Sequence, residues 1–145
     1  MHILLTSLFW SRAHGGATHF PIALVFASAF FDALGFYCQN SPQKRQLNAA
    51  GYLLIILSVF GCLGAVVTGL ALSQWQVGGT GLVLRHHMVV WPAMALIIGL
   101  GTWRCLVGKR PSTRSFKIYL SAVLVACALV GLAGFFGGEM LLGGQ

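Results

Sequence analysis

The chain has 145 residues, 57% of them hydrophobic and 8% charged, with a mean hydropathy of +0.84. A water-soluble domain of this length needs far more surface charge, so the composition excludes one and defines a single small integral membrane domain, residues 1–145. The net charge of +7 argues for no nucleic-acid partner, because the basic residues lie scattered around apolar runs without a basic helix or an aromatic stacking strip.

In chain order, Met1–Ala13 carries the apolar patches Ile3-Leu4-Leu5 and Leu8-Phe9-Trp10. It is too short to span and has no charged leader, which predicts an interfacial helix rather than a signal peptide. Four spans follow, at about 20–37, 49–72, 88–103 and 118–137. Each is close to the roughly 20 residues that cross a hydrocarbon core. Asp32 is the single charge within them, and the third span reaches full length if Arg104 snorkels from its end. Thr18 is the expected N-cap of the first span, with Pro21 and Pro92 in the opening turns of spans one and three, where proline is tolerated. The expected fold is all-α: an up-down four-helix membrane bundle with a short N-terminal interfacial segment, its odd-numbered helices on one diagonal.

Lys44 and Arg45 lie in the first loop, while Arg104, Lys109, Arg110, Arg114 and Lys117 surround the third. By the positive-inside rule these loops face the cytoplasm, so both termini are expected in the periplasm of a bacterial inner-membrane protein. The four cysteines form no C-x-x-C or C-x-x-C-H pattern, which excludes covalently attached haem. Glycines recur through spans two, three and four, where small residues let helices approach or leave room for a flat ring.

The chemistry gathers at the terminal side. All five histidines, His2, His14, His19, His86 and His87, fall there, with Arg85 beside the histidine pair and Glu139 at the exit of span four. Ionisable side chains at membrane depth are costly and tend to be functional. Histidines entering diagonal helices suit the axial positions of one b-type haem, which takes two neutral imidazoles in an apolar slot. His19 and His87 are the expected ligands to the haem iron. His14 and His86 lie beside them, Arg85 and Arg12 are candidates to meet the propionates, and Phe20, Met88, Trp91, Phe135 and Phe136 are candidate slot residues. Ligands for a second haem would stand 13 or 14 residues deeper, where the chain has Asp32, Ala33, Leu100 and Gly101. One haem at most is therefore expected. Asp32, deep in span one, is expected to be protonated or paired with Arg104, Tyr119 or another subunit, with a proton relay as its sharper role. An all-imidazole copper or zinc site with Glu139 is a further reading.

The run His14-x4-His19-Phe20-Pro21-Ile22-Ala23-Leu24, the His86-His87 entry to span three and the Gly137-Gly138-Glu139 exit of span four resemble the domain of unknown function 2231 family. These are small bacterial four-helix membrane proteins, and the resemblance covers nearly the whole chain. Some members are joined to Rieske or cytochrome domains, so the resemblance implies redox work. It matches His14 and His19 to the opening motif, and His86 or His87 to the single histidine of the third helix; the doubled histidine departs from that pattern. With no redox domain fused to it, the chain is expected to serve as a membrane-anchored electron-transfer subunit of an oxidoreductase complex. Such a subunit would pass electrons between a separate periplasmic partner and quinone or another membrane subunit, with Glu139 as proton acceptor beside quinone. The alternatives are a cofactor-free anchor or assembly subunit packed on larger membrane partners, and a quinone pocket without haem.

Overall fold

The computed structural model describes residues 2–107 and 112–142, with side chains described for 7–107 and 112–140. Four helices run through them: α1 (His2–Tyr37), α2 (Ser41–Leu72), α3 (Gly81–Val107) and α4 (Thr113–Leu142). Each holds a stretch long and apolar enough to cross a membrane. At 27 to 36 residues they measure roughly 40 to 54 Å and project beyond a hydrocarbon core of about 30 Å.

The N-terminal stretch expected as a separate interfacial segment is continuous with the first helix. α1 runs from His2 through Pro21, so this proline stands in the helix interior instead of the first turn, and Pro92 likewise lies inside α3. Proline is tolerated inside membrane helices because neighbouring helices and side chains re-satisfy the freed backbone groups. Pro21 also packs closely on α2, where a methyl group at Gly61 would stand 3.2 Å from its ring. Thr18 is therefore no N-cap; its hydroxyl donates to the Gly15 carbonyl one turn back, at 2.9 Å. The side chains of His2 and of the Ile3-Leu4-Leu5 patch lie outside the described residues, as do Lys109 and Arg110.

Local chemistry sets the other helix ends. The Asn40 side chain accepts from Gln43 N to cap α2, with a proline in the first turn, and Ser112 Oγ accepts from Ser115 N at 3.2 Å to cap α4. α2 ends in a Schellman motif, with Trp75 N donating to Leu70 O at 2.7 Å and Gln74 N to Ala71 O at 3.3 Å. That motif places Gln74 and Trp75 at φ 55° and 65°. The loop is then strapped to α3, where Trp91 Nε1 donates to Val77 O at 3.2 Å and His87 Nδ1 donates to Gly78 O.

The helices pair as two hairpins. α1 packs most extensively on α2, and α3 on α4; thinner α1–α4 and α2–α3 contacts join the hairpins. α1 and α3 thus lie on one diagonal, as expected. Small or β-branched residues dominate the interior, including Val25, Ala29, Ile55, Ala93, Ile97, Val123 and Ala126, whereas Phe26, Phe30, Leu57, Phe60 and Leu124 face outward. Lipid is as apolar as leucine and supplies no drive between helices, so close packing of small residues holds the bundle together while bulky ones face the acyl chains.

Candidate functional site

Two polar layers cross the α1–α3 diagonal, one at each end of the bundle. At the histidine end, the rings of His14 and His86 meet edge-on, with centroids 6.4 Å apart and planes at 89°. At the basic end, Asp32 of α1 pairs with Arg104 of α3 at 3.0 Å. His14 and Asp32 are eighteen residues apart, and so are His86 and Arg104. Eighteen residues make five helical turns, so both pairs fall on one stripe of each helix, about 27 Å apart. The neighbouring helices keep the same interval: Gly51 and Gly69 on α2 lie against Asp32 and His14, and on α4 Tyr119 bonds Asp32 while Gly137 lies beside His86.

Backbone carbonyls hold the histidine layer. His14 Nδ1 lies 3.0 Å from Ala65 O and 3.3 Å from Thr68 Oγ1, and His86 Nδ1 lies 3.0 Å from Ala133 O. A carbonyl only accepts, so each Nδ1 carries the proton and each neutral ring keeps its lone pair on Nε2. This is the tautomer in which histidines bind metals through Nε2.

This pair differs from the expected one. His19 projects about 140° around α1 from His14; it is exposed and turns back to donate to Gly15 O of its own helix, at 2.6 Å. His87 is half-buried, bonded to Gly78 O, and leans on Trp91 with centroids 6.2 Å apart. The interior stripe of α3 runs through His86, Ala93, Ile97, Leu100 and Arg104, which leaves His87 one step off it. Arg85 and Glu139 are exposed. Phe20, Met88 and Phe135 are 67%, 68% and 59% exposed, so they face outward rather than line a slot. Trp91 is committed to the loop.

At the basic end Arg104 is 3% exposed; it turns inward and does not snorkel. One terminal nitrogen donates to Asp32 Oδ1 at 3.0 Å and to Asn48 O at 2.7 Å. Tyr119 donates to the other carboxylate oxygen at 3.1 Å. Aromatic rings surround the guanidinium, whose carbon lies 5.0 Å from the Tyr119 centroid, 5.6 Å from Phe116 and 5.9 Å from Tyr52. Both partners expected for Asp32 are therefore present, and they come from this chain. A methyl group at Gly51 would collide with the carboxylate. Sequence reading took Gly69 only as one of several small residues that let helices approach, and it missed Gly51 and the ring cage. It also missed the His14–His86 pairing, although counting five turns back from Asp32 and from Arg104 reaches both histidines.

Among the described residues no three His, Cys, Asp or Glu side chains gather as a metal-holding group, so the all-imidazole site is not assembled. Two imidazoles suit a haem, whose porphyrin supplies the remaining four ligands. The two imidazoles supply the kind of donor set a haem takes, and their centroids lie 6.4 Å apart.

Four apolar helices with bulky residues outward and a polar pair at each end define a polytopic α-helical membrane protein. The chain belongs to the family described as Predicted membrane protein (DUF2231), whose model matches residues 12–144 and so takes in both layers. No curated protein and no solved structure matches it.

Proposed function

We propose that this chain is a membrane-anchored electron-transfer subunit that holds one b-type haem at His14 and His86. The site lies near the periplasmic face of a bacterial inner membrane and passes electrons between a periplasmic redox partner and quinone or another membrane subunit. The observation that carries this reading is the His14–His86 pair: two half-buried imidazoles on diagonal helices, each with Nδ1 bonded to a carbonyl, which leaves the Nε2 lone pair to ligate. Bound there, the haem supplies one-electron transfer at a fixed site. The protein orients the imidazoles through Ala65 O and Ala133 O, a hydrogen bond that raises ligand basicity. Arg12 and Arg85, exposed next to the layer, offer charge-assisted bonds to the propionates. Five turns deeper the diagonal residues are Asp32 and Arg104, which bind each other. The haem count is therefore one, and no complete electron path crosses the membrane.

Reduced-minus-oxidised spectra of protein purified after haem-replete expression test the assignment. A haem α-band is expected in wild type, His19→Ala and His87→Ala, and its loss in His14→Ala and His86→Ala. No α-band in wild type would sink the proposal.

A cofactor-free anchoring subunit is the second reading. Gly64, Gly99 and Gly131 support it, because each faces open space, as small residues do where a further membrane helix packs. On that reading His14→Ala and His86→Ala disturb co-purification of membrane partners, and wild type has no chromophore to lose.

A further inference from the structure

We infer that the Asp32–Arg104–Tyr119 layer is a register clamp between the two hairpins, and that its work is to set the spacing of His14 and His86 five turns away. The inference rests on that histidine pair being the working site.

The hairpins differ from each other in what holds them. Within each, packing is extensive; between them it is thinner, and the interior is made of small and β-branched side chains. Lipid supplies no drive between helices, so such an interface specifies its register weakly. The basic-end layer supplies the specificity that packing lacks. Asp32 on α1 accepts from Arg104 on α3 and Tyr119 on α4, and Arg104 also donates to the backbone of Asn48 on α2. One node therefore ties all four helices. Three aromatic rings stand within 5.0–5.9 Å of the guanidinium carbon, and the flat surface of Gly51 lets the carboxylate reach it. A buried ion pair adds little net stability relative to an apolar replacement, and its best-attested use is to select one register.

At the histidine end each imidazole bonds a carbonyl of its own hairpin, His14 to Ala65 and His86 to Ala133. Those bonds orient the rings without fixing the distance between them. α1 and α3 run unbroken from one layer to the other. Pro21 and Pro92 lie in these segments, and each removes one backbone bond from its helix, but the helix continues through both. A slip of one residue at the clamp thus displaces one imidazole relative to the other by about 1.5 Å. Metal–ligand distances tolerate only about 0.2 Å. The clamp is accordingly a positioning site for the pair.

The test measures the spacing of the two hairpins beside Ala65 and Ala133, the residues that hold the imidazoles, and uses no haem, so its failure and the failure of the haem reading are separable. Spin labels are placed at Gly64→Cys on α2 and Gly131→Cys on α4, where an added side chain meets open space, with the four native cysteines replaced by alanine. The parent is expected to give one narrow distance distribution by double electron–electron resonance. In Asp32→Asn/Arg104→Met, which removes both charges together, the width is expected to rise about two-fold while helicity by circular dichroism is unchanged. Tyr119→Phe removes one hydroxyl from the node and is expected to broaden the distribution less. It decides the question by the same criterion if the double variant does not fold. A folded double variant with the parent's width, or a parent width in Tyr119→Phe where that variant decides, overturns the inference.

Discussion

Gly69 of α2 lies flat against the His14 imidazole, so close that a methyl group there would stand 2.9 Å from Cε1 and 3.2 Å from Nδ1. The ring is thus held from two sides, by the glycine surface and by the Ala65 carbonyl. Gly69→Ala pushes the ring away from that carbonyl. Loss of an orienting contact typically costs 10- to 100-fold in metal affinity, so haem titration of the detergent-solubilised variant is expected to show a weakening of that order with the helices intact.

Gly51 stands in the same relation to Asp32, whose carboxylate occupies the space a methyl group would need. Gly51→Ala is expected to lower thermal stability, because it forces the carboxylate off Arg104 and Tyr119. Gly64→Ala on the same helix is the control. Its methyl meets open space, and alanine's helix propensity stabilises it by up to about 1 kcal/mol. Opposite shifts in melting temperature for the two variants check the assignment.

Arg104→Met strands Asp32, whose ion pair among the described residues is to Arg104. Breaking one side of a buried pair costs about 3–5 kcal/mol, whereas removing both charges is near neutral. Thermal unfolding is therefore expected to show a large drop for Arg104→Met and recovery of most of it in Asp32→Asn/Arg104→Met. A double variant as unstable as the single one would contradict this.

Gln74 occupies the left-handed position that ends α2, at φ 55°. A side chain there costs about 1 kcal/mol relative to glycine. Gln74→Gly is expected to raise stability by up to that amount, read from the melting temperature, and to leave the haem α-band unchanged.

Four apolar runs and a scatter of basic residues made the membrane bundle legible, because hydrophobicity over twenty residues is decided by the solvent and needs no knowledge of neighbours. The diagonal placement of α1 and α3 followed from short loops alone. The extent of α1 did not. Pro21 and Gly15-Gly16 look like the start of a helix in water, yet α1 continues through them although Pro21 has no N–H to donate. Arg104 stands at the end of the third span, the position of a snorkelling residue; in the fold it meets Asp32, a partner 72 residues away.

The histidines mark the division most clearly. Composition and spacing alone put a histidine set at one end of the bundle and a lone carboxylate deep in span one. Which imidazoles meet depended on helix rotation, and every face of these spans is apolar, so no hydrophobic stripe announces it. Rotation was settled by tertiary contacts: Arg104 reaching Asp32 turns α1 and α3 toward each other. Five turns on, the same faces carry His14 and His86, while His19 is left exposed on the outside of α1.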